Sequence, residues 1–202
     1  MAEFLGIIPA RYASTRFPGK PLALLGSKPM IQWVYEGASS LFKHLVVATD
    51  DQRIHDAVKN FGGKVLMTSS RHRSGTDRCA EAARRYEDQE NLSFSHVVNI
   101  QGDEPLIQKE QLQTLLDCFL SPEAGIATLI RHMNDKKELE NPNVVKVVVD
   151  RSFRALYFSR SPIPFVRDNT IEKSPDKLQF YSHIGLYAFR REILEQIVNL
   201  PP

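Results

Sequence analysis

Sulfur cannot cross-link much of this 202-residue sequence, because Cys79 and Cys118 are its only cysteines and they stand far apart. Each falls in a helix-like pattern among apolar residues. A disulfide framework and a cysteine-based zinc site are therefore excluded, and reduced core thiols in a cytoplasmic protein are expected. The six histidines lack close metal-ligand spacing and add nothing to a zinc site. No apolar run approaches the length that spans a bilayer. The opening MAEFLGIIPAR carries Glu3 and only a brief apolar run, unlike a signal peptide, and points to a soluble chain. An excess of one charge is missing too: 26 basic against 24 acidic side chains give a mixed surface, which argues against a general nucleic-acid binder. Neither Gly-x-x-x-x-Gly-Lys-Ser/Thr nor Gly-x-Gly-x-x-Gly occurs, so P-loop and dinucleotide fingerprints are both ruled out. Repeats and low-complexity tracts are absent as well.

What is present is a core of useful size, with 42% hydrophobic residues, enough for one domain or one domain with an appended subdomain. Phe4 to Ile8, Leu45 to Ala48, Lys64 to Met67 and Val97 to Ile100 are apolar runs of strand length. Between them lie helical stripes: Met30, Ile31, Val34 and Ala38; Ile54, Ala57, Val58 and Phe61; Cys79, Ala82, Ala83 and Tyr86. Gly62-Gly63 follows the second stripe, where a left-handed helix end is expected, and Leu112, Leu115, Leu116 and Phe119 form a further stripe before Ser121-Pro122. Strand alternating with helix predicts an α/β fold, a mainly parallel sheet with helices on both faces. From Asn141 the texture becomes β-rich in VVKVVVD, ALYFSRSPIPF and HIGLYAF, with the polar segment Arg167 to Gln179 between them and a last helix from about Arg190 to Asn199. The organisation expected is one domain over 1–202. Its α/β core spans 1–140, and its β-rich part, 141–202, forms an arm suited to packing on another subunit.

Parallel sheets bind ligands beyond the carboxyl ends of their strands, so the loops there carry the chemistry. The first, PARYASTRFPGK, gathers Arg11, Arg16 and Lys20 with hydroxyls and Gly19 directly after a strand. Cations and oriented N–H groups suit it to a polyphosphate; a solvated basic loop is the plainer reading. The second, SSRHRSGTDR, brings Arg71, His72, Arg73 and Arg78 to the start of a helix that Thr76 or Ser74 could cap. It needs no function beyond capping, although Ser74 and Gly75 could also read a nucleobase edge. The third, NIQGDEP, ends a buried strand in two acids. Asp103 is a natural Mg²⁺ ligand, because Mg²⁺ often joins one or two carboxylates to phosphate oxygens; Glu104 could be that ligand or a turn residue. His183 and Tyr187 share one face of a strand, where core packing is the ordinary role. Arg160, an arginine in an apolar strand, invites a buried anion partner, either an internal acid or a substrate carboxylate.

Taken in order, IIPARYASTRFPGKPL, VATDDQRI, HRSGTDRCAEA, VVNIQGDEPLI, NPNVVKVVVD, ALYFSRSPIPF and HIGLYAFR resemble the 3-deoxy-manno-octulosonate cytidylyltransferases from the first strand to about Arg190. The resemblance implies a nucleotide-diphospho-sugar transferase fold. It also implies conversion of CTP and the acid sugar 3-deoxy-manno-octulosonate (Kdo) to CMP-Kdo and pyrophosphate, which activates Kdo for lipopolysaccharide synthesis in a Gram-negative bacterium. It implies a Mg²⁺-dependent, cytoplasmic homodimer. By the same resemblance Arg11, Ser14, Arg16 and Lys20 hold the triphosphate, with Lys20 and Arg16 acting in catalysis, and Asp103 holds Mg²⁺. Pro9, Ala10, Arg73, Ser74 and Gly75 surround cytosine, with Arg78 bordering them, and Gln101, Arg160, His183 and Tyr187 contact Kdo. Family members continue beyond the position of Pro202 through a sugar-contacting glutamine and an Asp-Thr-Pro block bearing a second Mg²⁺ ligand. Neither is present here, so truncation at the C-terminus and an incomplete two-metal site are expected. The rival expectations are an inactive CTP-binding module that only dimerises, and a related sialate cytidylyltransferase.

Overall fold

The structure is a computed structural model that describes residues 3–13, 17–165 and 179–201. The described chain forms two compact units, one of residues 1–127 with 186–202 and one of residues 128–185.

In the first unit the elements run β1 (Phe4–Ala10), a short hairpin of β2 (Leu24–Leu25) and β3 (Lys28–Pro29), α1 (Met30–Ser39), β4 (His44–Thr49), α2 (Gln52–Asn60), β5 (Val65–Met67), α3 (Gly75–Glu90), β6 (His96–Asn99) and α4 (Lys109–Asp117). Strands β5, β4, β1 and β6 lie side by side in that order and parallel, with Ile7 between Val46 and Asn99. The alternation expected from the sequence is thus an α/β sheet. Its interior strands are apolar on both faces because helices cover both. Leu5, Ile7, Val46, Ala48 and Val97 meet Cys79, Ala80, Ala83 and Tyr86 of α3 on one face. The Met30, Ile31, Val34 and Ala38 stripe of α1 is buried as its spacing predicts.

The helix ends explain themselves locally. Asp51 caps α2 by accepting from the Arg53 N–H, and Gly62 beyond that helix takes the left-handed conformation expected of it, at φ +80°. Ser74, not Thr76, caps α3, in a reciprocal box with Asp77. Cys79 is a buried thiol whose pKa burial raises. Cys118 corrects the expectation of two core thiols: α4 stops at Asp117, and the tighter 3-10 turn Cys118–Leu120 carries it off the buried Leu112 and Leu115 stripe into solvent.

Sequence reading placed the β-rich part from Asn141, yet β7 (Ile126–Met133) and α5 (Lys136–Glu140) precede it. They are followed by the antiparallel β8 (Lys146–Val149) and β9 (Ala155–Ser159), joined by a hairpin with a register shift at Val148/Val149. Strand β10 (Phe180–Arg190) pairs with β8 through Tyr181 and Ser182 in the second unit. Past residue 185 it pairs antiparallel with β6 in the first, Tyr187 opposite Asn99. The last helix, α6 (Arg191–Val198), falls where expected and packs on α3. The expected polar segment lies almost wholly outside the described residues. No helix among the described residues is long and apolar enough to cross a membrane.

Arg191 fixes α6 to α3. Its guanidinium donates to both Glu87 oxygens at 3.2 and 3.0 Å and to Glu195, which also accepts from Arg84 at 2.6 Å. Arg191→Ala would leave two partly buried carboxylates without their main partner, and urea denaturation is expected to show a loss of about 1–3 kcal/mol. His96 and His183 are both pushed below the ordinary histidine value of 6.5 by burial. Their folded-state pKa values are depressed, so the stability linked to them is complete above that value and is lost as pH falls below it. Unfolding midpoints should therefore drop as pH falls below about 6.5, and a flat profile there would contradict the assignment.

Candidate active site

Because β1, β4, β5 and β6 are parallel, the loops after their carboxyl ends emerge along one edge of the first unit. The loop after β1 closes on itself: the Gly19 N–H donates to the Tyr12 carbonyl at 2.8 Å, and Gly19 sits at φ +71°. A Cβ at Gly19 would lie 3.0 Å from the Tyr12 ring, so both conformation and space call for glycine. The Arg53 guanidinium covers the Tyr12 ring, held there by Asp51 at 2.6 Å. From the 3-10 turn Lys20–Leu22, the Lys20 Nζ reaches Asp103 Oδ2 of the third loop at 2.6 Å. The cation of the first loop and the acid of the third therefore meet. Arg11 is half-buried directly after β1, whereas Ser14 and Arg16 lie outside the described residues.

Glu104 is less readily charged than an ordinary glutamate, first because it is partly buried and then because Asp103 stands next to it, with Lys20 opposing. Among the described residues no group of three or more His, Cys, Asp or Glu side chains could hold a metal alone. One or two carboxylates completed by phosphate oxygens is how Mg²⁺ is commonly bound, and Asp103 fits that mode.

Pro9, one residue before the end of β1, has two glycines against it. A Cβ on Gly102 would come within 3.0 Å of the Pro9 carbonyl, and one on Gly75 within 3.4 Å of the Pro9 ring and 3.7 Å of Asn99 Nδ2. Pro9, Ala10, Ser74 and Gly75 are thereby brought together, while Arg73 stands exposed on the loop before α3. That loop is tied down by Glu81, which accepts from the Ser69 N–H at 3.0 Å, meets His72 and pairs with Arg85 at 2.7 Å. Arg78 has a different place from the one expected of a nucleotide contact. It is fully buried, with one Nη on Thr68 at 2.5 Å and the other on Asp50 at 2.9 Å, so it braces the ends of β4 and β5. Gln101 is half-buried at the start of the third loop, and Tyr187 is half-buried beside Asn99 with a phenol that burial keeps protonated. Asn99 is 2% exposed and its Oδ1 has no partner among the described residues. Sequence reading passed over it, although an amide inside the apolar run VVNI was a visible signal.

In the second unit His183 is half-buried, with Nε2 2.9 Å from Thr128 Oγ1 and its ring edge on Phe158. Burial favours its neutral form. Arg160 corrects an expectation, since no buried acid pairs with it among the described residues. It follows β9, is exposed, and donates through Nη1 to the Pro142 carbonyl at 2.9 Å. The strand it was read into is itself solvent-facing, so no buried partner is needed.

Comparison with known proteins agrees with this arrangement. The family model described as cytidylyltransferase matches residues 5–202. The chain is 54% identical to the 3-deoxy-manno-octulosonate cytidylyltransferase of Phocaeicola vulgatus, over 98% of this chain and 79% of the relative. It is 50% identical to that of Thermodesulfovibrio yellowstonii, over 96% and 78%. Among solved structures it resembles a CMP:2-keto-3-deoxy-manno-octonic acid synthetase complexed with CTP, with a TM-score of 0.87 and 41% identity over 100% of this chain and 79% of the other. A cytidylyltransferase from Leptospira borgpetersenii, 18% identical with a TM-score of 0.61 over 100% of this chain and 66% of the other, shares the fold. Matched along its described sheet and loops at such identity, the chain belongs to the cytidylyltransferase family, and within it to the 3-deoxy-manno-octulosonate cytidylyltransferases.

Proposed function

We propose that this chain is the enzyme that transfers CMP from CTP to Kdo, releasing pyrophosphate and activating Kdo for lipopolysaccharide synthesis. The observation that carries the reading is the 2.6 Å contact of Lys20 with Asp103 at the carboxyl end of the parallel strands. In the reaction the 2-hydroxyl oxygen of Kdo bonds to the α-phosphorus of CTP and gives up its proton to solvent, the bond from that phosphorus to the bridging oxygen breaks, and pyrophosphate leaves with the electron pair. Both reactants are anions, so cations must offset their repulsion. Lys20 and Arg11 supply them from the first loop, with Arg16 a further cation and Ser14 a hydroxyl donor by family resemblance. Mg²⁺ on Asp103 would neutralise phosphate charge and help orient the attacking hydroxyl. Cytosine is assigned to Pro9, Ala10, Arg73, Ser74 and Gly75, with Arg78 bracing that floor from beneath. By the family resemblance Gln101, Arg160, His183 and Tyr187 are assigned to Kdo. Tyr187 keeps its proton and can donate, neutral His183 can bond a hydroxyl without adding charge, and exposed Arg160 can take a carboxylate bidentately.

Homodimerisation belongs to the same reading. Strand β9 lies at the sheet edge of the second unit with Leu156 and Tyr157 each 64% exposed, beside Phe153 at 69%. An edge of that character seeks cover, and a second copy of the chain supplies it. Sedimentation should give a dimer for the parent chain and a monomer for a Leu156→Glu, Phe158→Glu variant; a monomeric parent would remove this part of the reading.

Pyrophosphate release should require CTP, Kdo and Mg²⁺ together, and be lost on chelation. Turnover with sialic acid in place of Kdo would move the sugar assignment, and CTP binding without product would leave only a binding module. Lys20→Met should lower kcat about 100-fold while changing the KM for CTP far less, because the ammonium's contact strengthens as charge develops in transfer. An unchanged kcat would remove Lys20 from the chemistry.

A further inference from the structure

Lys146 opens β8 fully buried, yet makes no ion pair among the described residues. Its ammonium has three N–H groups, and each meets a backbone carbonyl: Asn141 at 2.9 Å, Val144 at 2.9 Å and Arg160 at 2.6 Å. Burial and the nearby Arg160 charge disfavour its charged form. The three acceptors act the other way, since a neutral amine would turn a lone pair on one of them. A buried charge without an opposite charge is costly, and such a group is retained where a fixed geometry is needed.

The geometry it fixes is that of Arg160. The Arg160 carbonyl is held by Lys146, while its guanidinium donates to Pro142, inside the same 141–144 turn that Lys146 grips at both ends. The two cations clasp one turn from opposite sides, and neither has an acidic partner among the described residues. Fixed positive charge of this kind attracts an anion to the exposed member of the pair.

We propose that Lys146 is a positioning residue for the sugar acid, its buried ammonium locking the Asn141–Val144 turn to Arg160 so that the guanidinium is presented to the substrate carboxylate. The proposal rests on the assignment of Arg160 to that carboxylate, and the test separates the two. Steady-state kinetics would compare Lys146→Met, Arg160→Ala, their combination and, as a control for loss of packing in the same strand, Val147→Ala. Lys146→Met is expected to raise the KM for Kdo about tenfold, the scale of a lost charge-assisted hydrogen bond, with the KM for CTP nearly unchanged. The preference for Kdo over its carboxamide should shrink with it. Arg160→Ala should do the same, and the double variant should be little worse than Arg160→Ala alone, because Lys146 acts through Arg160. Should Lys146→Met fail to fold, Lys146→Gln, which keeps two donors, goes through the same comparison with the same expected sign. If Arg160→Ala leaves Kdo kinetics intact, the carboxylate assignment falls and the role of Lys146 falls with it. If Arg160→Ala behaves as expected but loss of Lys146 shifts Kdo no more than Val147→Ala, or shifts both KM values together, only the positioning role is overturned.

Discussion

The architecture of the site turns on how closely two chain segments can approach the end of β1. Pro9 has no N–H to pair and a fixed φ, so the strand forms a rigid corner one residue before it ends at Ala10. Gly75 and Gly102 let the start of α3 and the third loop close on that corner from either side, at distances a larger residue could not share. The N-terminus of α3 and the acids of QGDEP are held near each other by this approach. Lys20 then completes the arrangement from the first loop by reaching Asp103. Side-chain chemistry alone would not have brought these groups together, since the loops that bear them are about eighty residues apart in the chain.

Much of this was legible in the sequence, for physical reasons that differ from part to part. Strand and helix order could be read because buried parallel strands are short continuous apolar runs and the covering helices carry one apolar stripe each. The three loops could be read because each combines a strand end with charge and glycine. Family resemblance then supplied the pairing of Lys20 with a triphosphate and Asp103 with a metal, which composition could not supply.

What escaped reading lies where burial and sequence texture part company. Strand β7 was missed because IATLIRHM mixes apolar and basic residues, Arg131 and His132 being exposed while Ala127, Leu129 and Met133 are buried. Cys118 looked like core because helical spacing was carried one residue beyond the end of α4. Arg160 and Arg78 exchanged roles. The arginine in an apolar run is exposed, and the arginine in a basic loop is fully buried. Periodicity reports which face a residue takes when its neighbours continue the element, and each of these residues sits where the element stops, turns or opens its helix.

The buried cations share one logic. Arg78 is bonded through its two Nη groups to Thr68 and Asp50, its buried Nε having no partner among the described residues, and Lys146 meets three carbonyls, so neither offers its charge directly to solvent. Lys20, in contrast, holds Asp103 through a contact with both partners more than a third exposed. An exposed pair contributes little to stability and is readily exchanged for other ionic partners, whereas a buried, hydrogen-bonded cation is expensive to disturb. On the proposed reading the exchangeable pair stands where an anionic substrate would enter and leave, whereas Arg78 and Lys146 each hold backbone in place within their own unit.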